Sequence, residues 1–408
     1  MRRALGLGLV TLLMALAVAL SGSLLILRLF YTWVLLLGIS YVWVAVVSQG
    51  FFLTTSAFPV RSQVGAEIRQ EISLLGTSPV PKLGIKVQAV NDLPGKNFSA
   101  TLDLPFNREV KMLVDYSLRR RGCYHLGTFT LTITDPFNLF RRVVASGQSS
   151  QIIVHPQTFR LPAFKLIGLT GAGLSKNLPA LSASTSSVRE FASGDSLRHI
   201  HWRSTAHTGR YMVKVFDPDH SRRREGNYWV VLDLSLATQS GIDEQSTTEY
   251  AVTLASSLAR EYLDNGFRLG LIIAHGQLEV IAPNSGQDHL VAILDILAIC
   301  QPGASIPLSG LISRNQRLFG TESTVVIISA SASTALIETF YLLNSRGCTV
   351  AYFLMDRGSF GGYGSPETGR SLVQLGAPVY VLHQTDNFRQ ALEQAAAGFG
   401  PLGGTNRL

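Results

Sequence analysis

Two long apolar runs open the chain, at residues 4–20 and 29–53. Ser21-Gly22-Ser23 lies between them, followed by Leu24 to Leu27 and a single Arg28. One crossing of a ~30 Å hydrocarbon core needs only about 20 residues, so this pattern predicts two transmembrane helices in a hairpin over residues 1–55. A cleaved leader explains Arg2-Arg3 and the first run but leaves the second without a place. Arg2 and Arg3 precede the first helix, and Arg61 and Arg69 follow the second, which puts both ends on the cytoplasmic side. Arg28, near the outer turn, counts against that orientation. Trp33, Tyr41 and Trp43 are candidate interfacial anchors.

From residue 60 to 156 the pattern shortens to alternating runs broken by turn residues. Ile85-Lys-Val-Gln-Ala-Val90, Val110-Lys-Met-Leu-Val114 and Thr128-Phe-Thr-Leu-Thr-Ile-Thr134 have the period of half-buried antiparallel strands. Asn91-Asp-Leu-Pro-Gly95 and Asp135-Pro-Phe-Asn138 carry turn chemistry. About seven such strands predict a small β-sandwich. Residues 157–187 are poor in charge, hold Gly, Ser and Pro, and show no sustained period, so they are expected to form a linker.

Residues 225–400 alternate strand and helix patterns. Tyr228-Trp-Val-Val-Leu232 is a continuous apolar run ending in Asp233. Ser246 and Glu249 form a candidate capping box. Tyr250, Leu254, Leu258 and Tyr262 then mark one stripe of a helix closed by Asn265-Gly266. A hairpin is expected around Gly276, from Leu269–Ala274 to Leu278–Ile281. Helices follow at 288–299, 334–344 and 388–397, with strands at 324–329, 349–354 and 379–382. Such alternation predicts a mostly parallel sheet covered on both faces. Its order resembles a von Willebrand factor A-type domain.

Composition changes this picture little. Of 408 residues 46% are hydrophobic and 15% charged, and mean hydropathy is positive, as an N-terminal membrane segment requires. The net charge of +8 is spread along the chain, with local runs at Arg119-Arg120-Arg121 and Arg222-Arg223-Arg224. No stacking aromatics are interleaved with those runs, so nucleic acid is not an expected partner; solvated loops or an anionic inner leaflet are. Cys123, Cys300 and Cys348 are odd in number and far apart, which suits free thiols in a reducing compartment and not a disulfide framework or zinc site.

The densest chemistry lies in residues 188–224. Arg189, Phe191, Gly194, Asp195, Arg198, Ile200 and Trp202 are ordered in a way that resembles the bacterial "domain of unknown function 58" family, read roughly as Arg-x-aromatic-x-x-Gly-Asp and then Arg-x-Ile-x-Trp. The upstream run Arg119 to Phe129, with Asp135-Pro-Phe-Asn-Leu-Phe140, resembles the same family, except that Asn138 stands where Gly is usual. Asn can still take the left-handed turn conformation. The resemblance implies a membrane-anchored protein with a von Willebrand A-like domain. It also implies a MoxR-type AAA+ ATPase as partner, and a transglutaminase-like membrane protein as a further one. For the block itself two readings stand ahead of a third, a catalytic role for Asp195 with His199 or His201, for which no nucleophile or oxyanion arrangement can be named. In one it is an internal lock, with Arg189 and Arg198 paired to Asp195 and Trp202 packed between the β and α/β domains. In the other it is a docking surface, since Arg and Trp are frequent interface anchors.

Asp233-Leu-Ser235-Leu-Ala237 resembles the first element of a metal-ion-dependent adhesion site, at the strand end where open α/β sheets bind ligands. The pattern is degenerate. Ala237 replaces the second serine, and Ser329-Ala-Ser-Ala-Ser333 supplies no second carboxylate before Glu338. One carboxylate with Ser235, even aided by Thr247 or Thr248, holds Mg²⁺ poorly, so no metal and no other cofactor is expected. His199, His201 and His207 have no spacing that suits zinc. No nucleophile elbow, P-loop or dinucleotide fingerprint is present. The glycines from Gly358 to Gly364 suit a loop more than a phosphate cradle. The family resemblance implies a non-enzymatic adaptor or scaffold at the inner membrane, and the N-terminal pattern adds a multi-pass anchor with cytoplasmic soluble domains. The alternatives are a divalent-cation-dependent binding module and an enzyme of unknown type.

Overall fold

A computed structural model describes residues 2–77, 82–95, 98–105, 108–161, 188–192, 200, 202–214, 227–275, 277–303, 308–321, 323–331, 333–363, 367–385 and 387–390. The chain divides into two compact units, Met1–His155 and Pro156–Leu408.

The first unit begins with α1 (Arg2–Ser21) and α2 (Leu24–Val47). Gly22, at φ 57°, makes the break between them. The second helix differs from its expected span at both ends. It starts at Leu24, taking in Arg28, because Leu24-Leu-Ile-Leu27 continues the apolar helix without interruption. It stops at Val47, where Ser48 caps it and Gly50 turns at φ 65°. Phe51-Phe-Leu53 then belong to strand β1 (Phe51–Thr55), their burial alternating as a strand requires. α2 is long and apolar enough to cross a membrane; residues 6–21 form a shorter apolar helix.

Among the described residues nine further strands follow: β2 (Arg61–Gln63), β3 (Glu67–Gly76), β4 (Lys82–Val90), β5 (Ser99–Leu104), β6 (Glu109–Ser117), β7 (Gly122–Leu126), β8 (Thr128–Thr134), β9 (Arg141–Ser146) and β10 (Ser150–His155). They form three sheets, ordered β1-β3-β6, β2-β10-β7 and β5-β4-β8-β9. Among the described residues every pairing is antiparallel except β2 with β10. The strands exceed the expected seven because β2 and β7 are too short to show a period. Along β3 every second side chain is buried, and Ile72 and Leu74 meet Val87, Val114, Phe129, Leu131 and Ile152 from all three sheets in one core.

The second unit starts with a strap, not a free linker. Residues 157–161 lie on the later helix α4 (Thr247–Asp264). The Phe159 N–H donates to Ser257 Oγ at 3.0 Å, and Ser256 Oγ donates to the Gln157 carbonyl at 3.0 Å. Leu161 joins the core. Ser256 and Ser257 are fully buried in α4, where each also bonds the Thr253 carbonyl, so the strap shares hydroxyls that the helix itself engages. The remainder of the expected linker lies outside the described residues. The next elements are β11 (Val188–Glu190), α3 (Trp202–Thr208) and β12 (Met212–Lys214), with β11 antiparallel to β12.

The main sheet has six strands: β13 (Asn227–Asp233), β16 (Arg268–His275), β17 (Gln277–Asn284), β18 (Thr324–Ser329), β19 (Thr349–Met355) and β20 (Val379–Leu382). Their order is β17-β16-β13-β18-β19-β20, all parallel except the antiparallel edge strand β17. The two-residue β14 (Gly241–Ile242) and β15 (Gln245–Ser246) form a small hairpin before α4. α4 and α5 (Gln287–Ile299) cover one face through Leu254, Leu258, Ile293 and Leu297. α6 (Leu308–Asn315), α7 (Ala335–Asn344) and α8 (Glu367–Gln374) belong to the other side, where Leu311, Leu336 and Leu372 pack with Trp229, Ile327 and Tyr352. Ser246 caps α4 by accepting from the Glu249 N–H at 3.3 Å, and Gly266 follows its end at φ 78°. α6 and α8, eight residues each, were not expected from the sequence.

Candidate functional site

Strand order places β13 between β16 and β18, with the chain leaving it to opposite sides. The C-terminal ends of β13 and β18 therefore flank the switch point at which open α/β sheets bind ligands. Asp233 and Ser329 sit at those ends. Asp233 is only 4% exposed, and both carboxylate oxygens are occupied. Oδ1 accepts from the Ser235 N–H at 3.0 Å, and Oδ2 accepts from Ser329 Oγ at 2.7 Å. Ser329 Oγ in turn accepts from the Ser331 N–H at 2.9 Å.

A side chain that sequence reading did not single out completes the arrangement. Gln239 donates from Nε2 to the carbonyls of Asp233 (3.3 Å) and Ser235 (3.4 Å). Its Oε1 accepts from Thr247 Oγ1 (2.8 Å) and Thr248 Oγ1 (3.0 Å). Thr247 Oγ1 also accepts from the Ser240 N–H at 2.9 Å. The hydroxyls expected as spare metal ligands are thus committed to a neutral amide that ties the end of β13 to the start of α4. Such a donor set offers one carboxylate and several already partnered oxygens, which suits a closed hydrogen-bond network better than a hard dication. Among the described residues no group of three or more His, Cys, Asp and Glu side chains is arranged to hold a metal.

Around this network lies a rim of loops. Asp356 follows β19, and its Oδ2 lies 2.9 Å from His383 Nδ1, just past β20. Asp356 Oδ1 accepts from the Gly358 N–H, while Ser359 Oγ donates to the Asp356 carbonyl and accepts from the Gln384 N–H. The serine hydroxyl is therefore engaged with backbone and not with the imidazole, so the trio braces loops without the arrangement of a nucleophile and its base. Arg357 Nε donates to Ser240 Oγ at 3.3 Å, and Gly362 lies so close to Ser240 that a Cβ there would collide. Three large apolar side chains stand out from these loops: Leu236 (67% exposed), Ile242 (80%) and Tyr363 (94%).

The residues 188–214 are only partly described. Gly194, Asp195, Arg198, His199 and His201 lie outside the described residues, so neither the Arg–Asp pairing nor the histidine geometry enters here. The backbone of Arg189 is in β11, paired with Val213. Phe191 is half-buried and its N–H donates to the Tyr211 carbonyl. Ile200 is buried and bridges Val213. Arg210 Nη1 pairs with Glu190 Oε1 at 2.7 Å, which raises the guanidinium pKa through that hydrogen bond and charge. Trp202 opens α3, a seven-residue helix with no buried residue, and has 66% of its surface exposed; Tyr211, beyond the end of that helix, is 61% exposed.

Comparison with known proteins yields similarities alone. The "Uncharacterized protein YeaD" of Bacillus subtilis (strain 168) is 23% identical over 207 residues, which cover 50% of this chain and 49% of that protein. The chain thus spans about half the length of the curated relative it matches. Among solved structures, the CARDB domain of a Pyrococcus furiosus protein is 16% identical over 26% of this chain and 90% of its own, at a TM-score of 0.20. A β-glucosidase from Listeria innocua is 11% identical over 26% of this chain and 16% of its own, at 0.19. At those TM-scores neither likeness bears on fold or function. The family resembled by the block from Arg189 to Trp202 is the one whose model matches residues 187–361, described as "Protein of unknown function DUF58".

Proposed function

We propose that this chain is a non-enzymatic, membrane-anchored adaptor or scaffold. In this reading α1 and α2 form a transmembrane hairpin with both ends cytoplasmic, the β-rich sheets form a sandwich, and the second unit is a von Willebrand A-like domain. Its partner is a MoxR-type AAA+ ATPase at the inner membrane. The observation that supports it most is the rim, where Leu236, Ile242 and Tyr363 project from loops braced by Ser240, Arg357 and Gln384. Exposed large apolar groups on polar, mutually tied loops suit protein docking. The closed network at Asp233 favours this reading over a cation-dependent module. The engaged Ser359 favours it over hydrolytic chemistry. Capture from native membranes with the tagged full chain, with ATP and with ADP, tests it. A AAA+ ATPase should be recovered with a nucleotide bias, and Ile242→Asp with Tyr363→Ala should lose it. Recovery of none from cells that express one sinks the adaptor reading. A reporter active only outside the cytoplasm, fused after Leu408, should be silent; activity would sink the topology.

A further inference from the structure

The turn between β8 and β9 is built more rigidly than a connection needs to be. Asp135, 3% exposed, accepts from the Phe137 N–H at Oδ2 (3.0 Å) and from the Phe140 N–H at Oδ1 (2.6 Å). Its carbonyl accepts from the Asn138 N–H, and Asn138 sits in the left-handed region at φ 56°. This frame holds Phe137 outward, 57% exposed, at the tip. Behind it come Arg141 and Arg142, both exposed, while Asp135, the only acid of the turn, has its carboxylate turned to the backbone.

The same turn touches α2. The Phe140 ring meets Tyr41 edge to face at 5.9 Å, and Arg142 Nη1 donates to Ser48 Oγ at 2.9 Å. Those contacts set a depth. Tyr41 lies 17 residues past Leu24, which is ~26 Å of helix at 1.5 Å per residue. A ~30 Å hydrocarbon core beginning near Leu24 thus ends just beyond Tyr41. Ser48 lies roughly 10 Å further on, at headgroup level. Aromatic rings at the acyl boundary and guanidinium groups one step outward match the polarity gradient of an anionic leaflet.

We propose that the turn Asp135–Phe140 is a second membrane contact: Phe137 enters the interfacial layer and Arg141 and Arg142 meet lipid phosphates. It rests on the reading that α2 spans the bilayer. The occupant is an anionic phospholipid surface, because the turn is continuous with the membrane helix through Tyr41 and Ser48 and the cations Arg141 and Arg142 behind its tip form no ion pair among the described residues.

The test uses the full chain reconstituted in mixed phosphatidylethanolamine and phosphatidylglycerol vesicles, with p-benzoylphenylalanine in place of Phe137. Irradiation should give lipid adducts detectable by mass. The same probe in place of Ser117 is the control; Ser117 is exposed and pairs with Glu67, nine residues or about 30 Å along β3 from Gly76 beside Phe51. Adducts from Phe137 and few from Ser117 are expected, with a several-fold lower yield when phosphatidylglycerol is omitted. No adduct from Phe137, or one to a second copy of the chain, overturns the proposal while alkaline-resistant membrane integration shows α2 still spanning. A yield indifferent to phosphatidylglycerol overturns the assignment of Arg141 and Arg142. Loss of integration itself overturns the spanning reading and this inference with it.

Discussion

Ser329, the last residue of β18, donates a 2.7 Å hydrogen bond to the carboxylate of Asp233, the last residue of β13. The two residues lie 96 positions apart, and the bond crosses the switch point of the sheet. A buried carboxylate oxygen without a hydrogen-bond partner is costly, so this hydroxyl stabilises the strand ends directly. Ser329→Ala strands Oδ2 and should cost about 1–3 kcal/mol. Pulse proteolysis of the detergent-solubilised chain across a urea series measures it. An unchanged midpoint would mean that water or another donor replaces the hydroxyl.

The same closure predicts a silent titration. Mg²⁺, Mn²⁺ and Ca²⁺ should give no saturable heat at micromolar concentrations, because Thr247, Thr248 and Ser329 would have to abandon their partners for one carboxylate. A micromolar signal abolished by Asp233→Ala would show that the network opens to make a metal site.

Trp202 yields the opposite expectation to a buried anchor. With 66% of its surface exposed, Trp202→Ala should leave stability within about 0.5 kcal/mol. A loss near ~3 kcal/mol, the size expected for a buried aromatic, would restore the lock. The informative readout is capture of the ATPase by this variant, since a stable chain with reduced capture assigns α3 to docking.

Where the sequence carried local signals, the elements appear as read. β18 spans Thr324–Ser329, the Ser246 cap and Gly266 bound α4, and Asn138 takes the left-handed turn. Asp233 was legible because a strand ends in it. Gln239 was not: its five partners run from the end of β13 through the following loop to the start of α4, and only the folded chain brings them together. The strap at residues 157–161 was hidden for a related reason, since its backbone is satisfied by serines about 100 residues later. α8 escaped because eight residues with few apolar positions do not outweigh the glycine-rich stretch before them.

Lys82 shows what alternation conceals. It stands on the inward side of β4 and is only 1% exposed. Its ammonium donates to the Gln49 and Gly50 carbonyls at 2.5 and 3.2 Å and lies 3.3 Å from the Phe51 ring centroid. It thereby ties the end of α2 to the β-rich sheets. Burial pushes its pKa down to about 8, while the two carbonyls and the ring favour the charged form. The sign of the pH effect follows. The unfolded lysine keeps its proton up to the ordinary lysine value of 10.5, so between pH 8 and 10.5 the unfolded chain binds more protons than the folded one. Stability should therefore rise with pH across that window, and the contribution should be lost as pH falls through about 8. Lys82→Met removes this dependence and leaves two carbonyls without their donor. The stability difference between wild type and Lys82→Met, measured by pulse proteolysis at several pH values, should widen in favour of wild type above pH 8. A difference constant across that range would mean that the carbonyls and the Phe51 ring hold the folded pKa at its unfolded value, leaving Lys82 a permanent cation at the helix end.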